Sequence, residues 1–495
     1  MKNRFLIILS AALTVATASC DKEYLETAPT ASVDAGAAYA TTKNASAAIN
    51  GIYRSLMVRY LGSQGHSGHP AMMIIMDVMG DDLVFGTASN SWHFGEQRWI
   101  SHRSDVGTMS RFPYELYYRV IGNANLAIAN IDNAAGPANE RNQLKGEALA
   151  LRGWAYFNLV QLYGKRYDAA AKPNNQLGVP LVLEPTTEGL PRATVEEVYT
   201  QINADLKAAE GLLTAARSNK SHINLPVVKG FLARVALTQQ NWADAERYAS
   251  EARTGTTLMT QAQYQEGFAE ISNPEWMWGF DHLEDQSEFF GGYHSYISCN
   301  FNSSVIRTTP KLINNLLYDR ISPTDVRAKM WVKTPTADNS VVPPGGVRRP
   351  YMVQKFRLPG TPSTSTMGDV PFMRAAELFL IDAEAKARQG KDAEAAKVLF
   401  DLVKTRDAAY TQSTATGAEL MEEILFNRRI ELWGEGFRFY DLKRTNAALN
   451  RNGGNHNAAY TNGVMDVPAG DKRWVFLIPQ DEINNTNGVV VQNPQ

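Results

Sequence analysis

The fold prediction begins with two similar stretches, Ala233–Ala249 (ARVALTQQNWADAERYA) and Ala383–Leu399 (AEAKARQGKDAEAAKVL). In each stretch, a helical pattern ends at a polar break and a second helical pattern follows it. Small residues fall at matching places, so that Ala245 of the first stretch aligns with Ala395 of the second. Small side chains let two antiparallel helices approach closely, as in a tetratricopeptide hairpin. The two stretches therefore predict helical hairpins.

Other segments carry apolar residues at the helical period: Ala37–Tyr60, Tyr114–Ile131, Glu140–Tyr163 and Thr194–Leu213. The last begins with Thr194 and has Glu197 three residues on, the pattern of a capping box. Neighbouring hairpins can stack and bury one continuous core. We therefore predict an all-α fold built from an interrupted array of hairpins.

Two long segments, residues 61–112 and 254–371, interrupt this array. They are rich in Gly, Ser, Asn, Pro and aromatic residues, and they lack long periodic helices. Segments of this length in a compact protein usually carry function, because a rigid scaffold can hold them in place. In the second, Trp276–Phe280 has aromatic residues at every other position, which predicts a short strand with Trp276 and Trp278 in the core. We predict a single domain over 37–495 with these two loop-rich, short-strand insertions side by side.

The N-terminal sequence has the pattern of an export signal. A cationic start precedes an apolar run of 11 residues, Phe5–Val15, which is too short to span a bilayer. Small residues then lead to Cys20, as in the lipobox of bacterial lipoproteins. We predict a signal peptide at 1–19, lipidation of Cys20 and a tether over 20–36. The alternative is simple cleavage after Ala18 or Ser19, with Cys20 incidental.

Composition narrows the range of functions. The chain has 495 residues, a formal net charge of -2 and 44% hydrophobic residues, an ordinary globular balance. Nucleic acid would demand a basic face, so a nucleic-acid partner is not expected. Only two cysteines occur. If Cys20 carries lipid, Cys299 has no partner, and we expect a buried thiol rather than a disulfide.

Several motifs in the expected order resemble the SusD/RagB family of outer-membrane nutrient-binding lipoproteins. The strongest is Asn427–Arg444 (NRRIELWGEGFRFYDLKR), similar to the family pattern ERxxELxxEGxRxxDLxR, with Asn427 where Glu is usual. From the residues themselves we predict a structural role for this motif, with an ion pair between Arg428 and Glu431. The remaining matches are Arg152–Tyr163 (RGWAYFNLVQLY), Ala383–Gly390 (AEAKARQG), Phe476–Ile483 (FLIPQDEI) and Gln492–Pro494 (QNP).

The resemblance implies a SusD-like fold on a tetratricopeptide scaffold, anchored by lipid at the outer membrane and exposed at the cell surface. It implies binding of oligosaccharide, or of peptide in some members, and delivery to a TonB-dependent transporter of the SusC type. It also implies that the protein has no catalytic activity. No cofactor is expected.

The two insertions supply residues suited to sugars. The apolar C–H face of a sugar ring packs on an aromatic plane, and its hydroxyls need polar partners. For each aromatic residue the alternative is packing against the helical body. The predicted ligand-binding residues are Trp92, Trp99, Tyr293, Tyr296, Asp82 and Arg98.

The sequence leaves other interpretations of the function open. The sequence has no HExxH, GxSxG, Walker or GxGxxG motif, so we predict no catalytic residues. Two acidic groups could serve glycoside hydrolysis, and the second could hold Ca²⁺, although we predict no metal. A lipid-anchored scaffold with a peptide or protein ligand is the main alternative function. The acidic groups are Asp77, Asp81 and Asp82, and Asp281, Glu284, Asp285 and Glu288; a histidine pair, His66 and His69, is a further metal candidate.

Overall fold

Helices are the main regular elements of the computed structural model, which describes residues 35–89, 92–286, 290–360, 363 and 366–495. In chain order they are α1 Ala35–Ala38, α2 Thr42–Ser55, α3 Gly68–Val78, α4 Phe94–Gln97, α5 Thr108–Asn130, α6 Ala138–Tyr163, α7 Val195–Leu212, α8 Leu225–Thr238, α9 Trp242–Ala252, α10 Gln261–Glu266, α11 Tyr293–Ile297, α12 Ser304–Thr308, α13 Asn315–Tyr318, α14 Ala375–Arg388, α15 Asp392–Arg406, α16 Gly417–Glu431, α17 Arg438–Arg444 and α18 Gln480–Asn485.

The long helices pack in a continuous series. Helix α2 packs on α5, α5 on α6, α6 on α7, α7 on α8 and α8 on α9. Helix α9 then packs on α14, which follows more than a hundred residues later in the chain, and α14 packs on α15 and α16. This is the predicted interrupted array of hairpins. Within the described residues, no helix combines the length and the apolar character that crossing a membrane requires.

The two stretches that predict hairpins form α8–α9 and α14–α15. The aligned residues Ala245 and Ala395 are fully buried. The turns also match, because Gln240 has φ 60° and its aligned residue Gly390 has φ 74°. Glycine adopts this left-handed conformation without the clash that a side chain brings. The same turn is therefore made twice, once with glycine and once with glutamine.

The capping box predicted at the start of α7 is confirmed. The Thr194 hydroxyl accepts a hydrogen bond from the Glu197 backbone N–H at 3.2 Å, and the Glu197 carboxylate accepts one from the Thr194 N–H at 2.7 Å. Both side chains satisfy donors that a helix start leaves unpaired.

Helix α3 lies within residues 61–112, a segment predicted to lack long periodic helices. It has 11 residues, and every one except His69 is buried. A helix surrounded by protein on all sides needs no polar face, so its sequence (GHPAMMIIMDV) shows no helical alternation of apolar and polar residues. The sequence of α3 therefore carries no periodic signal from which the helix could be predicted.

Short strands join the two insertions. The strands are β1 Leu83–Phe85, β2 Leu177–Pro180, β3 Arg192–Thr194, β4 Trp276–Phe280, β5 Lys311–Ile313, β6 Trp331–Val332, β7 Met352–Val353, β8 Val370–Arg374, β9 Leu449–Asn450 and β10 Asp466–Val467. One sheet has the order β1-β5-β7-β6, so a strand of the first insertion pairs with strands of the second. Strand β4 has the predicted bounds and pairs with β8, and Trp276 and Trp278 lie in the core as predicted.

The motif Asn427–Arg444 lies inside the protein and joins distant segments by buried charges. Arg374 donates to Glu431 at 3.1 Å and to Glu435 at 2.6 Å, and Arg406 also donates to Glu431 at 3.1 Å. The predicted partner of Arg428 is wrong, because Arg428 donates to Asp441 at 2.7 Å. Glu431 faces arginines from other elements instead. The structural role predicted for the motif fits these contacts.

Candidate functional site

The two insertions meet at the half-buried ring of Trp92. The indole centroid lies 6.3 Å from that of Tyr296, with the ring planes 5° apart. It lies 6.3 Å from the Phe290 ring, at an interplanar angle of 74°. The Tyr296 hydroxyl donates to the Trp92 carbonyl at 3.4 Å. Trp92 belongs to the first insertion and the other two rings to the second, so the expected side-by-side placement is observed.

Local backbone geometry presents the indole beside a buried partner. His93, the next residue, has φ 63°, which turns the chain back into α4. The His93 ring then meets the Tyr296 ring edge to face, with centroids 4.9 Å apart. Tyr296, near the end of α11, is only 2% exposed, and its ring lies parallel to the indole. The Trp92 ring is thus held by a rigid neighbour and keeps part of its surface open.

Two basic side chains flank this group of rings. Arg59 is exposed, and its Nη2 donates to the Phe290 carbonyl at 3.1 Å. Lys311, on β5, is buried with its Nζ 4.1 Å from the Tyr296 ring centroid, and it donates to the Thr309 carbonyl at 2.7 Å. Burial lowers the pKa of Lys311 to about 7. An ammonium over a ring face is an attractive cation–π contact.

The surface formed by Trp92, Phe290 and Arg59, which we call the Trp92 face, suits a sugar. A half-exposed indole offers an apolar plane for the C–H face of the ring, and the guanidinium can donate to hydroxyl oxygens. Sugar chains are flat and polar at their edges, so a shallow surface with a few aromatic planes can bind them. None of the described contacts of the Trp92 indole involves a pair of carboxylates.

Three of the predicted aromatic residues are too buried to stack on a ligand in this structure. Trp99 and Tyr293 are each 2% exposed, like Tyr296. The Trp99 indole N–H donates to the Met79 carbonyl at 3.0 Å, and the ring packs on Trp474 with centroids 4.6 Å apart. The Tyr293 hydroxyl donates to the Gly434 carbonyl at 2.6 Å. For Trp99 and Tyr293 the alternative interpretation, packing against the body of the protein, describes the contacts. Tyr296 instead packs between the two insertions, on Trp92, His93 and Lys311.

The two predicted polar residues hold the insertion in place. Asp82 is 4% exposed and accepts hydrogen bonds from Arg429, with the Nε at 3.0 Å, so it faces the family motif and not the Trp92 face. Arg98 is half-buried, and its Nε donates to the Tyr460 carbonyl at 3.0 Å. These geometries make both residues connectors between segments. Buried Asp82 does not fit a direct ligand contact in this structure, whereas Arg98 stays a predicted ligand contact.

Sequence reasoning missed Arg59 and Lys311. Arg59 lies just before the predicted insertion, and nothing in its neighbourhood on the chain marks it. Lys311 could not be identified from the sequence because its position depends on the pairing of β5 with β1, a contact between residues far apart in the chain. A lone lysine in an apolar stretch, here Lys311–Ile313, is the one local signal that could have drawn attention to it.

The metal alternatives find no support in the described part of the chain, where no group of three or more His, Cys, Asp or Glu residues could hold an ion. His66 stacks on Phe112 with centroids 4.5 Å apart, and the Nδ1 of His69 lies 3.0 Å from the Tyr117 hydroxyl. Glu288 and the side chain of Asp285 lie outside the described residues, as does Cys20.

Two family models match the chain. A SusD-like family described as starch-binding and associating with the outer membrane matches residues 41–237, and the SusD family matches residues 325–495. Together the two models cover about three quarters of the chain. The chain belongs to the SusD/RagB family. The predicted SusD-like, mainly α-helical fold is confirmed.

Solved structures and curated relatives agree with this assignment. A SusD-like carbohydrate binding protein from Bacteroides vulgatus ATCC 8482 has 28% sequence identity and a TM-score of 0.78, covering 91% of this chain and 97% of that one. A SusD superfamily protein from Bacteroides thetaiotaomicron VPI-5482 has 25% identity and a TM-score of 0.77, covering 92% and 100%. SusD-like protein P2 of Formosa agariphila is 23% identical over 499 residues, which span 92% of this chain and 93% of that protein.

Proposed function

We propose that this SusD-like protein is a non-catalytic lipoprotein that captures oligosaccharide at the cell surface and delivers it to a TonB-dependent transporter of the SusC type. The observation that carries the binding step is the Trp92 face, where rings from two insertions and an exposed guanidinium come together. Carbohydrate binding is also the function that the family description and the Bacteroides vulgatus relative suggest.

A weak site is enough for this role. A millimolar dissociation constant corresponds to about −4 kcal/mol, which a few stacking contacts and hydrogen bonds can supply. A lipid at Cys20 would hold the protein at the membrane, and attachment beside a transporter would raise the effective concentration of glycan. Family membership and the N-terminal sequence support delivery and anchorage, which form part of the proposal.

The binding step is tested with the protein lacking residues 1–20. A glycan array that includes maltooligosaccharides, the fragments of starch, identifies the ligand, and calorimetry measures its affinity. Trp92→Ala is expected to weaken binding at least tenfold. Trp242→Ala is the matched control, because Trp242 is also a half-buried tryptophan but lies at the start of α9 in the scaffold.

Three results would overturn the proposal. Equal weakening by both substitutions would mean that the loss reflects a general effect on folding. Release of reducing ends from a polysaccharide by the purified protein would make it a glycoside hydrolase instead. Capture of a peptide with no glycan bound would favour the alternative ligand class.

A further inference from the structure

A cleft, which we call the arginine cleft, lies between helices α16 and α17. Its lining also includes Arg320, which follows α13, and Arg388, the last residue of α14. None of Trp92, Phe290 and Arg59 belongs to this lining, so the cleft is separate from the Trp92 face. The cleft has a volume of about 590 Å³. Sites for small molecules typically measure about 300–1,000 Å³, and the arginine cleft is therefore large enough for a small ligand.

One wall of the arginine cleft is an apolar strip on α16, formed by Met421, Leu425 and Phe426. All three side chains are half-buried, so each keeps part of its surface open to the cleft. Met421 and Leu425 are four residues apart and therefore lie on the same face of the helix. Methionine and aromatic side chains pack well against C–H groups. The apolar strip thus suits a ligand that has an apolar face.

The rest of the lining consists mainly of N–H donors. Five guanidinium groups and two carboxylates line the arginine cleft, and the carboxylates that pair with three of the arginines lie outside the lining. With these outer partners the charges balance, so a ligand would be held by direct contacts and not by a long-range field. Guanidinium donors bind anionic oxygens most strongly. The arginines are Arg320, Arg388, Arg428, Arg429 and Arg438, the lining carboxylates are Glu422 and Asp441, and the outer ones are Asp81, Asp82 and Glu384.

Two arginines at the connection between α16 and α17 use only one edge of the guanidinium group. Arg429 pairs with Asp82 through Nε, at 3.0 Å, and through Nη2. Arg438 pairs with Asp81 through Nε, at 2.6 Å, and through Nη2, at 3.1 Å. None of the hydrogen bonds that these two arginines make to described residues uses Nη1. Because a guanidinium group has five N–H donors, Nη1 can bind a ligand while each pair stays intact.

Arg428, beside them in the lining, has a buried donor without a partner. Its Nε donates to Asp441 at 2.7 Å, whereas its Nη1 has no partner in the described part of the chain, and the side chain is only 4% exposed. An unpaired buried donor costs free energy unless a water or a ligand oxygen satisfies it. An anionic oxygen would therefore be most stabilising at this end of the arginine cleft.

We propose that the arginine cleft binds an acidic sugar, with a carboxylate or sulfate group at the Nη1 groups of Arg429 and Arg438 and its C–H face on the apolar strip. An acidic sugar combines the anionic oxygens and the apolar face that the two parts of the lining fit. A neutral sugar offers the same face but only weaker hydrogen-bond acceptors. The inference rests on the proposed function in taking the ligand to be a sugar, and it adds a second binding site to the Trp92 face.

The ligand class is tested with glucuronate and glucose sulfate as acidic probes, and with methyl glucoside and inorganic sulfate as controls. Calorimetry and saturation-transfer NMR on the protein lacking residues 1–20 are expected to detect at least one acidic probe in the millimolar range or tighter. Its affinity should exceed that of methyl glucoside and of inorganic sulfate at least tenfold. The tighter of the two acidic probes identifies the carboxylate or the sulfate as the preferred group.

The site is tested by Arg429→Gln, which is expected to weaken binding of the acidic probe at least tenfold. Arg253→Gln is the matched control: the Arg253 side chain is 22% exposed and pairs with buried Asp382, and that of Arg429 is 23% exposed and pairs with buried Asp82. Arg253 lies outside the arginine cleft, so Arg253→Gln should bind the probe like the unsubstituted protein.

Met421→Glu provides a second variant that leaves every ion pair of the arginines in place. It puts a carboxylate on the half-buried apolar strip, where it repels an anionic ligand and competes for the guanidinium groups. Binding of the acidic probe should fall at least tenfold, while the urea unfolding curve confirms that the protein is folded. Trp92→Ala should leave binding of the acidic probe unchanged.

Several results would overturn the arginine cleft as a site for an acidic sugar. These are no binding of either acidic probe, equal affinity for methyl glucoside or inorganic sulfate, and equal affinity in Arg429→Gln and Arg253→Gln. Loss of acidic-probe binding in Trp92→Ala would also do so, because the probe would then lie at the Trp92 face. The proposed function would still stand in each case if Trp92→Ala weakened oligosaccharide binding.

Discussion

Trp92 and Trp99 come from one insertion, yet their surroundings differ completely. The Trp92 ring is half-buried beside two rings of the second insertion, whereas the Trp99 ring is 2% exposed and bonded to a backbone carbonyl. Both sit among polar and aromatic residues in the sequence, and no periodic helix gives either one a face. Local pattern therefore predicts that this insertion carries function but cannot choose between its two tryptophans.

Substituting these two residues is expected to give opposite results. Trp99→Ala should lower the free energy of unfolding by about 3–5 kcal/mol, because a buried ring and its hydrogen bond are lost. Trp92→Ala should change stability by less than about 1.5 kcal/mol but remove most of the glycan affinity. Denaturant unfolding and calorimetry on the two variants provide the comparison. A stable Trp99→Ala protein that no longer binds glycan would reverse the assignment.

Glu431 shows how a family motif can be structural. Burial alone would raise the pKa of this carboxyl group, but Arg406, Arg374 and Arg327 together hold it well below the ordinary value. The spacing within the motif suggested a local pair with Arg428. The actual partners come from three other parts of the chain, which a pattern of near neighbours cannot identify. Buried charges need such partners, since an unpaired one is costly.

Acid should therefore destabilise the protein through this group. A carboxyl whose pKa is depressed in the folded state contributes stability above the unfolded pKa of about 4.3, and that stability is lost as the pH falls through the folded value. Glu431→Gln should cost about 3–5 kcal/mol at pH 7 and make the loss of stability below pH 5 shallower. Urea unfolding at several pH values measures both effects.

The control for Glu431→Gln is Glu422→Gln. Glu422 pairs with Arg320 at 3.0 Å, but its side chain is 70% exposed. Surface pairs contribute about 0–1 kcal/mol, so Glu422→Gln should behave like the unsubstituted protein. An equal loss of stability in the two variants, or no loss of stability in Glu431→Gln, would contradict the role assigned to the buried charges.

At the scale of elements, amphipathic helices and caps could be predicted, and buried elements could not. Hairpins α8–α9 and α14–α15 and the capping box of α7 follow from periodicity and from local side-chain chemistry. Helix α3 has no solvent-facing side to produce a period. The pairing of β1 with β5 depends on residues far apart in the chain, so local pattern carries no trace of it.

The turn of the second hairpin allows a clean test. Gly390 has φ 74° and open space where a Cβ would lie, so Gly390→Ala should lower the free energy of unfolding by about 1–2 kcal/mol through backbone strain alone. Gly122, exposed in the middle of α5, also has open space around it, and Gly122→Ala should raise stability by about 0.5–1 kcal/mol. Thermal and urea unfolding of both variants checks the signs. A change in the free energy of unfolding of the same sign in both variants would refute the explanation by backbone strain.

At the scale of the whole molecule, the scaffold brings together insertions that are far apart in the sequence. The order β1-β5-β7-β6 ties one insertion to the other, and the Trp92 face lies where they meet. The sequence predicted both insertions and their adjacency. It could not identify Arg59 or Lys311, because their neighbours in space come from distant segments.

Attachment to the membrane should depend on Cys20. Small residues lead to this cysteine as in a lipobox, and the apolar run Phe5–Val15 before it belongs to the predicted signal peptide. Cys20→Ser should therefore move the protein from the membrane fraction to the soluble fraction of cells, whereas Cys299→Ser should stay with the membranes. Immunoblots of the two fractions measure where each variant protein is found. Retention of Cys20→Ser in the membranes would contradict the predicted lipid anchor.

The proposed function depends most on where the captured oligosaccharide lies. A crystal structure of the protein with the tightest oligosaccharide from the array measures this directly. We predict a sugar ring stacked on the indole of Trp92, with Arg59 within hydrogen-bond distance of its hydroxyls. An oligosaccharide bound elsewhere, with the Trp92 indole free of ligand, would contradict the account.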